Sequence, residues 1–386
     1  DVYKRQQQGS VVKFCGFELT RDETGALIAH QDTFVRELLS RHPDVLPDPS
    51  GPVDRRDGPD PDSPGTADDI RDAQQAVGEL LWVASRSRPD LSFGVSRAAQ
   101  WATKNPAYAV KCTRKLLGFL KAVPSVHLRF AGLDQGGELD RHLPSSPSVG
   151  SIEVWADAGF AGESGLKSQT GVVLRVAGNV VGWLSLRQPF LAQSSAEAEL
   201  LACGEGLVLC HALSPAWREL ARLPVSCLLV NDNVAANTLF NGCTGNWRTR
   251  HLRLRVQGFV EQLENTPLEI HHAPGTVMLG DLGTKALHTS RIKLLLGLMG
   301  CRVGQEAGGN LEPESREKEN CVDRVLAAVS LIMAAHVLQG CALVEAPPES
   351  ACPGPGSHAA FLAEEPSGSF WLLVGLLCVL SVGRWE

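Results

Sequence analysis

An α/β fold on a mixed sheet is the class this sequence predicts: three antiparallel strands, then parallel strands, with helices on both faces, and a small α+β unit before it. Three observations carry the prediction. The runs IEVWADA (152–158), TGVVLRVA (170–177) and VVGWLS (180–185) follow each other too closely for anything but antiparallel neighbours. The runs SCLLVND (226–232) and LEIHHA (268–273) are each preceded by a helical stretch, which is the spacing of crossovers to parallel strands. Upstream, residues 11–30 alternate apolar and polar about a Glu23–Thr24–Gly25 turn, and residues 73–122 show helical periodicity.

Taken in order, the hairpin at 11–30 leads into a short helix from about Asp32 to Arg41. Residues 42–72 are rich in Pro and Asp and read as a solvated acidic linker. Val77, Leu80, Leu81 and Ala84 then share one helical face, and Leu116, Leu117 and Leu120 share another beyond a break at Asn105–Pro106, so a small helical bundle is expected. The division that follows is an α+β unit over 1–130, a linker at 131–150, the mixed-sheet domain over 151–290 and a tail over 291–386. The tail holds a Glu-rich connector, 305–324, and two apolar runs, 325–344 and 370–383. Only the first approaches the roughly 20 residues that span a bilayer, so membrane contact is one reading of the tail and a packed helix the other.

Composition excludes several classes. With 386 residues, 44% hydrophobic and 20% charged, the chain can bury a core in each of two or three domains, so a wholly disordered protein is excluded. A net charge of −7 argues against a uniformly basic nucleic-acid coat. Eleven cysteines with no CxxC pair indicate neither a disulfide framework nor a zinc ribbon, and fit a reducing, intracellular compartment. The first residue is not Met and no secretory signal opens the chain, which reads as a fragment.

Four carboxylates in 151–290 stand out. Asp157 closes the first strand among small residues, and Asp232 closes the fourth. A lone strand-end Asp is an ordinary turn or cap residue. Ser194-Ser195-Ala196-Glu197 forms a capping box, which leaves Glu199, about 200° further round the helix, to point at the sheet. Asp281 sits near the start of a final short helix. Together the four offer hard oxygen donors without nearby Cys or His spacing, which suits Mg²⁺, or Mn²⁺ in its place, better than zinc. Two such ions about 4 Å apart activate a water and stabilise the leaving oxygen of a phosphodiester.

For nucleic acid, the densest basic run is Trp247-Arg248-Thr249-Arg250-His251, continuing to Arg253 and Arg255. It reads as phosphate contact beside the site, against the alternative of a solvated helix face. Lys167 and Ser168, at the start of the second strand, are placed to touch a nucleic-acid backbone. Trp155 and Trp183 lie inside strands and read as core.

The order Asp157, Glu199, Asp232, Asp281 on these elements resembles ribonuclease H. The words KSQTG (167–171), VGWLSLRQPFLAQSSAEAEL (181–200), NDN (231–233), RTRHLRLR (248–255) and GDLGTK (280–285) resemble the ribonuclease H region of copia-type retrotransposon Pol polyproteins. FCGFEL (14–19) and VGELLWVASRSRPDLSFGVSRAAQWATKNP (77–106) resemble the end of that family's reverse transcriptase. The resemblance covers about residues 11–290. It implies that the four acids hold two Mg²⁺ ions that cut the RNA strand of an RNA–DNA hybrid, inside virus-like particles in the cytoplasm or nucleus. It also implies partners in the rest of the polyprotein, the reverse transcriptase palm and the integrase. The family's paired polymerase aspartates are absent, so no DNA synthesis is expected. Gly159, Phe160 and Gly280 depart from the family's usual Asp, Trp and Ala. The rival readings are a decayed copy that binds nucleic acid or only folds, a membrane-tethered structural protein, and a strand-transfer enzyme on the same sheet.

Overall fold

The computed structural model describes residues 11–14, 16–54, 65–133, 137–161, 166–242, 250–263 and 266–304. Its first half runs β1 (Val12–Phe14), β2 (Phe17–Arg21), β3 (Leu27–His30), α1 (Asp32–Ser40), α2 (Ala67–Ala84), α3 (Ser92–Trp101), α4 (Pro106–Ala122) and β4 (Val126–Phe130). Local chemistry sets these boundaries. Asp22 Oδ1 accepts from the amides of Thr24 and Ala26, both at 2.9 Å, and Gly25 at φ +80° completes the β2–β3 turn. Thr66 and Asp69 close a capping box on α2, and Asn105 with Pro106 starts α4. Between α2 and α3 the buried Arg88 forks onto Asp90 at 2.9 and 2.7 Å and reaches the carbonyl of Pro124, so the Arg-Pro-Asp step is a structural clasp.

The second half runs β5 (Ser151–Gly159), β6 (Gln169–Val176), β7 (Asn179–Arg187), α5 (Ser195–Ala221), β8 (Ser226–Asn231), α6 (Val234–Phe240), α7 (Arg250–Gln262), β9 (Leu268–His272), α8 (Asp281–Thr284), α9 (Thr289–Leu298) and β10 (Arg302–Val303). Its sheet has the order β7-β6-β5-β8-β9. β5, β6 and β7 pair antiparallel, while β8 joins β5 and β9 joins β8 in parallel. This is the predicted mixed sheet. α5 covers one face, with Gly206 against Val154 and Val172. The other face packs on α8 and on the upstream bundle, where Trp183 donates to the carbonyl of Ala84 at 2.7 Å and Gln169 to Ser96 at 3.0 Å. One hydrophobic cluster runs through both halves, with Trp155 fully buried and Trp183 nearly so.

Three expectations are revised. The stretch 42–72 is not a solvated linker where it is described: residues 67–72 belong to α2, and the segment before Arg55 lies along α4. There Lys121 holds the carbonyls of His42 and Val45, Lys115 holds Asp48 and Ser50, and Val45 is buried. The 131–150 linker contains a 3₁₀ turn, Glu138–His142, with Leu139 fully buried and Asp140 on Arg175 at 2.8 Å. Residues 291–304, assigned to the tail, are folded into the body. Ile292, Leu295 and Leu296 of α9 are buried, and β10 pairs with β4, completing an antiparallel sheet of order β1-β2-β3-β4-β10. The apolar runs 325–344 and 370–383 lie outside the described residues. Among those described, α5 alone is long and apolar enough to cross a membrane, and it is packed against the sheet as a core helix.

Candidate active site

Close approach of backbone builds one wall of the site. Asp157 near the end of β5 lies opposite Gly171 of β6, where no side chain stands. A Cβ on Gly171 would meet the carbonyl oxygen of Gly280 at 2.3 Å, one on Gly280 would meet Asp157 Cβ at 2.7 Å, and one on Gly283 would meet Gly171 Cα at 2.7 Å. These three glycines let the first turn of α8 lie directly on the strands, which brings Asp281, Thr284 and Lys285 to Asp157. Gly280, where the resembling family has Ala, is therefore part of this close fit.

The opposite wall comes from α5 and β8. Ser194 caps α5 by accepting from the amide of Glu197 at 3.1 Å. Glu197 reaches back to the amide of Gln193, one residue earlier than the expected box, and pairs with Arg255 of α7 at 3.2 Å. Glu199 is thereby left to the interior, with its Oε2 accepting from Asn231 at 3.0 Å. Asn231 also donates to the carbonyl of Ala156 at 2.8 Å, so it ties Glu199 to β5. Half-buried Asp232 follows at the end of β8. One oxygen from each of Asp157, Glu199 and Asp232 lies within 4.8 Å of the others.

Asp281 is placed differently from the expectation of a four-carboxylate set. Its Oδ1 takes an ion pair from Lys285 and its Oδ2 another from Arg291 at 3.0 Å. Lys285 Nζ also stands 3.3 Å from Asp157 Oδ1, so the lysine bridges the trio and Asp281. Thr284 donates to the other oxygen of Asp157. Asn231, Thr284, Lys285 and Arg291 were not singled out from sequence, although the first three lie inside the words NDN and GDLGTK.

The electrostatics follow from burial and like charge. Desolvation pushes the Asp157 carboxyl up, Lys285 pulls it back, and Asp281 and Asp232 push it up again. Glu199 is pushed up to about 8, by burial first and then by Asp157. For Lys285, burial disfavours the ammonium, but Asp157 and Asp281 outweigh it and hold it charged above the ordinary lysine range. Three acids converging with one ammonium between them leave negative charge uncompensated. The donors are hard oxygens, and the trio fits a divalent cation of the Mg²⁺ or Mn²⁺ type.

The proposed nucleic-acid contacts separate into groups. Arg250 and His251 are exposed at the start of α7, which Leu252 and Val256 anchor against Leu200 and Leu239. Arg253 is half-buried with no hydrogen-bond partner for its Nε among the described residues. Lys167 donates to the carbonyl of Pro189 at 2.6 Å. Ser168 is fully buried and accepts from the amide of Ala161 at 3.2 Å, so it braces the loop after Asp157 and is not exposed to a ligand. Arg248 and Trp247 lie outside the described residues.

No family model matches the chain. It is similar to a retrovirus-related Pol polyprotein from transposon RE1 of Arabidopsis thaliana, 25% identical over 283 residues, 71% of this chain and 18% of that protein. The transposon Ty1-NL2 Gag-Pol polyprotein of Saccharomyces cerevisiae is 21% identical over 227 residues, 58% of this chain and 12% of that protein. The chain thus spans less than a fifth of the length of these curated relatives. Among solved structures, RNase H1 from the archaeon Halobacterium salinarum matches at 17% identity and TM-score 0.28, over 37% of this chain and 98% of that one. An RNase H1 from compost, LC11, matches at 19% identity and TM-score 0.27, over 33% and 86%. The homologues of this chain are Pol polyproteins of copia/Ty1-type retroelements.

Proposed function

We propose that this chain hydrolyses the RNA strand of an RNA–DNA hybrid as part of a retroelement Pol polyprotein. The observation that carries the reading is the convergence of Asp157, Glu199 and Asp232 at one end of the mixed sheet. Divalent cations held there supply, when bound, activation of a water and stabilisation of the leaving oxygen. Asn231 fixes the Glu199 carboxylate, and Thr284 with Lys285 fixes that of Asp157. Asp281, now paired with Lys285 and Arg291, would help hold the cations if those contacts were released. Arg250 and His251 meet phosphates of the hybrid. Residues upstream of β5 guide the duplex toward the site, and the virus-like particle supplies the intracellular setting.

One observation favours a second reading, a copy that binds nucleic acid without turnover: Lys285 stands between Asp157 and Asp281, where a second cation would be held. The test uses the full chain with a labelled hybrid in Mg²⁺ and in Mn²⁺, with EDTA and Asp232→Asn as controls. Cleavage confined to the RNA strand and lost in both controls supports the nuclease. Tight binding of an uncut hybrid in both metals supports the second reading.

A further inference from the structure

Outside the carboxylate site, one other cluster among the described residues offers three groups able to hold a metal: His30, Asp32 and His127. The register of the first sheet assembles it. Glu18 of β2 lies opposite His30 of β3. β4 pairs with β3 with Leu128 opposite Ala29, which sets His127 beside His30. Facing residues of antiparallel strands project on one side, so Glu18, His30 and His127 form a row across three strands. Asp32, first residue of α1, turns its carboxylate onto that row. Arg302, next in the row on β10, is drawn off to Asp22 at 2.6 Å and Glu23 at 3.2 Å.

The three groups stand close enough to share one cation. Asp32 Oδ2 lies 2.8 Å from His127 Nε2 and 3.5 Å from His30 Nδ1, and Glu18 Oε2 lies 4.0 Å from His30 Nδ1. Donors at about 2.0–2.1 Å from a shared tetrahedral cation stand about 3.4 Å apart, and the two separations from Asp32 Oδ2 to the imidazole nitrogens bracket that value, while Glu18 stays outside the set and accepts from the Thr33 amide at 3.0 Å.

A hydrogen-bond network alone leaves His30 poorly served. Its side chain is 5% exposed, yet its shortest polar contact is the 3.4 Å approach of the Asp32 amide. Its Nε2 has no partner among the described residues. A buried imidazole nitrogen whose contacts are all 3.4 Å or longer is poorly satisfied, and a cation on Nδ1 gives that nitrogen a short partner.

We infer that His30, Asp32 and His127 form a site for a borderline divalent cation, zinc foremost, that ties β3, β4 and the start of α1 together. Two imidazoles favour zinc over magnesium, and an ion that pins the start of α1 to two strands of the first sheet has a structural role. The site is independent of the nuclease reading.

The test takes the full chain, strips it with EDTA, and dialyses it against Zn²⁺ or Co²⁺ in excess Mg²⁺. Expected are one tightly retained zinc per chain, a higher melting temperature, and the intense visible absorption of tetrahedral cobalt. His127→Gln loses all three, while Asp232→Asn keeps them. Failure to retain zinc over magnesium overturns the site, as does equal retention by folded His127→Gln. Should His127→Gln not fold, X-ray absorption on the zinc-loaded wild type decides. Two imidazole ligands support the site; thiolate ligation from the chain's eleven cysteines or fewer than two imidazoles overturns it.

Discussion

The carboxylate cluster on β5, α5 and β8 and the histidine cluster on β2, β3 and β4 are both assembled by strand register, but their charge balance differs. In the first, Asp157, Glu199 and Asp232 converge with Lys285 as the one ammonium bridging them to Asp281. In the second, two carboxylates face two imidazoles, and each acid has a basic group within 4.0 Å. An unbalanced set of acids stays folded because rigid elements hold it, and it is poised to take a cation. With the inferred cation the second set is balanced, closes on itself and serves the fold. Substitutions in the two clusters should therefore fail in different ways.

The largest effect is expected at the unbalanced cluster. Loss of outer-shell partners of a metal site typically costs about 10–100-fold in activity or metal affinity, so Asn231→Ala should lower hybrid cleavage by that much. Asp232→Asn, which alters a proposed ligand itself, should cost more than about 100-fold with the melting temperature little changed. Cleavage rates and melting curves on the same preparations check this. A variant that loses activity only in step with its folded fraction would place Asn231 with the fold instead.

Next is the wall of glycines. Gly171→Ala forces its Cβ toward the Gly280 carbonyl, 2.3 Å away, so α8 must lift from the sheet. Overpacking of this kind costs about 1–3 kcal/mol, and here it also moves Asp281 and Lys285 away from Asp157. Thermal melts should show destabilisation, and cleavage should fall further than stability accounts for.

A smaller effect concerns pH. Glu199 titrates near 8 in the folded protein against about 4.5 when unfolded, so the folded state holds the proton more tightly. The stability this contributes is fully present below about pH 4.5 and is lost as pH rises through about 8. Metal-free protein should therefore melt at a lower temperature at pH 8 than at pH 5. Saturating Mg²⁺ should flatten that slope, because a cation replaces the proton. An unchanged slope in Mg²⁺ would mean that the trio does not bind the ion.

Much of this site was legible in the sequence because it depends on local rules. Asp157 and Asp232 stand at strand ends, and Glu199 follows a capping box at an angle that turns it inward. The engagement of Asp281 was not legible, since whether Lys285 or a cation meets it depends on how closely α8 lies on β6. Ser168 was misread as a surface contact because its burial, with its hydroxyl taken by the Ala161 amide, is a property of the folded chain that no local pattern shows. The acidic stretch before Arg55 was misread for a similar reason: its partners Lys115 and Lys121 lie far along the chain on α4. β10, two residues long, is too short for any periodicity to reveal, yet it ties the end of the described chain into the first sheet.

The smallest expected effect separates the two readings of the basic helix. Arg250 and His251 are exposed on α7, while Arg255 is held by Glu197 and Leu252 is buried against α5 and α6. The anchored residues fix the helix beside the site, and the exposed ones have no role in the fold. Removing one phosphate contact lowers the slope of log affinity against log salt by about 0.9 for duplex and weakens binding to all sequences alike. Arg250→Ala should therefore reduce hybrid affinity a few-fold at low salt, with a shallower salt dependence and unchanged melting temperature. Hybrid titrations at several salt concentrations measure it. An unchanged slope would make this face merely solvated, and the duplex would then have to be held from the upstream bundle, which covers the opposite face of the same sheet.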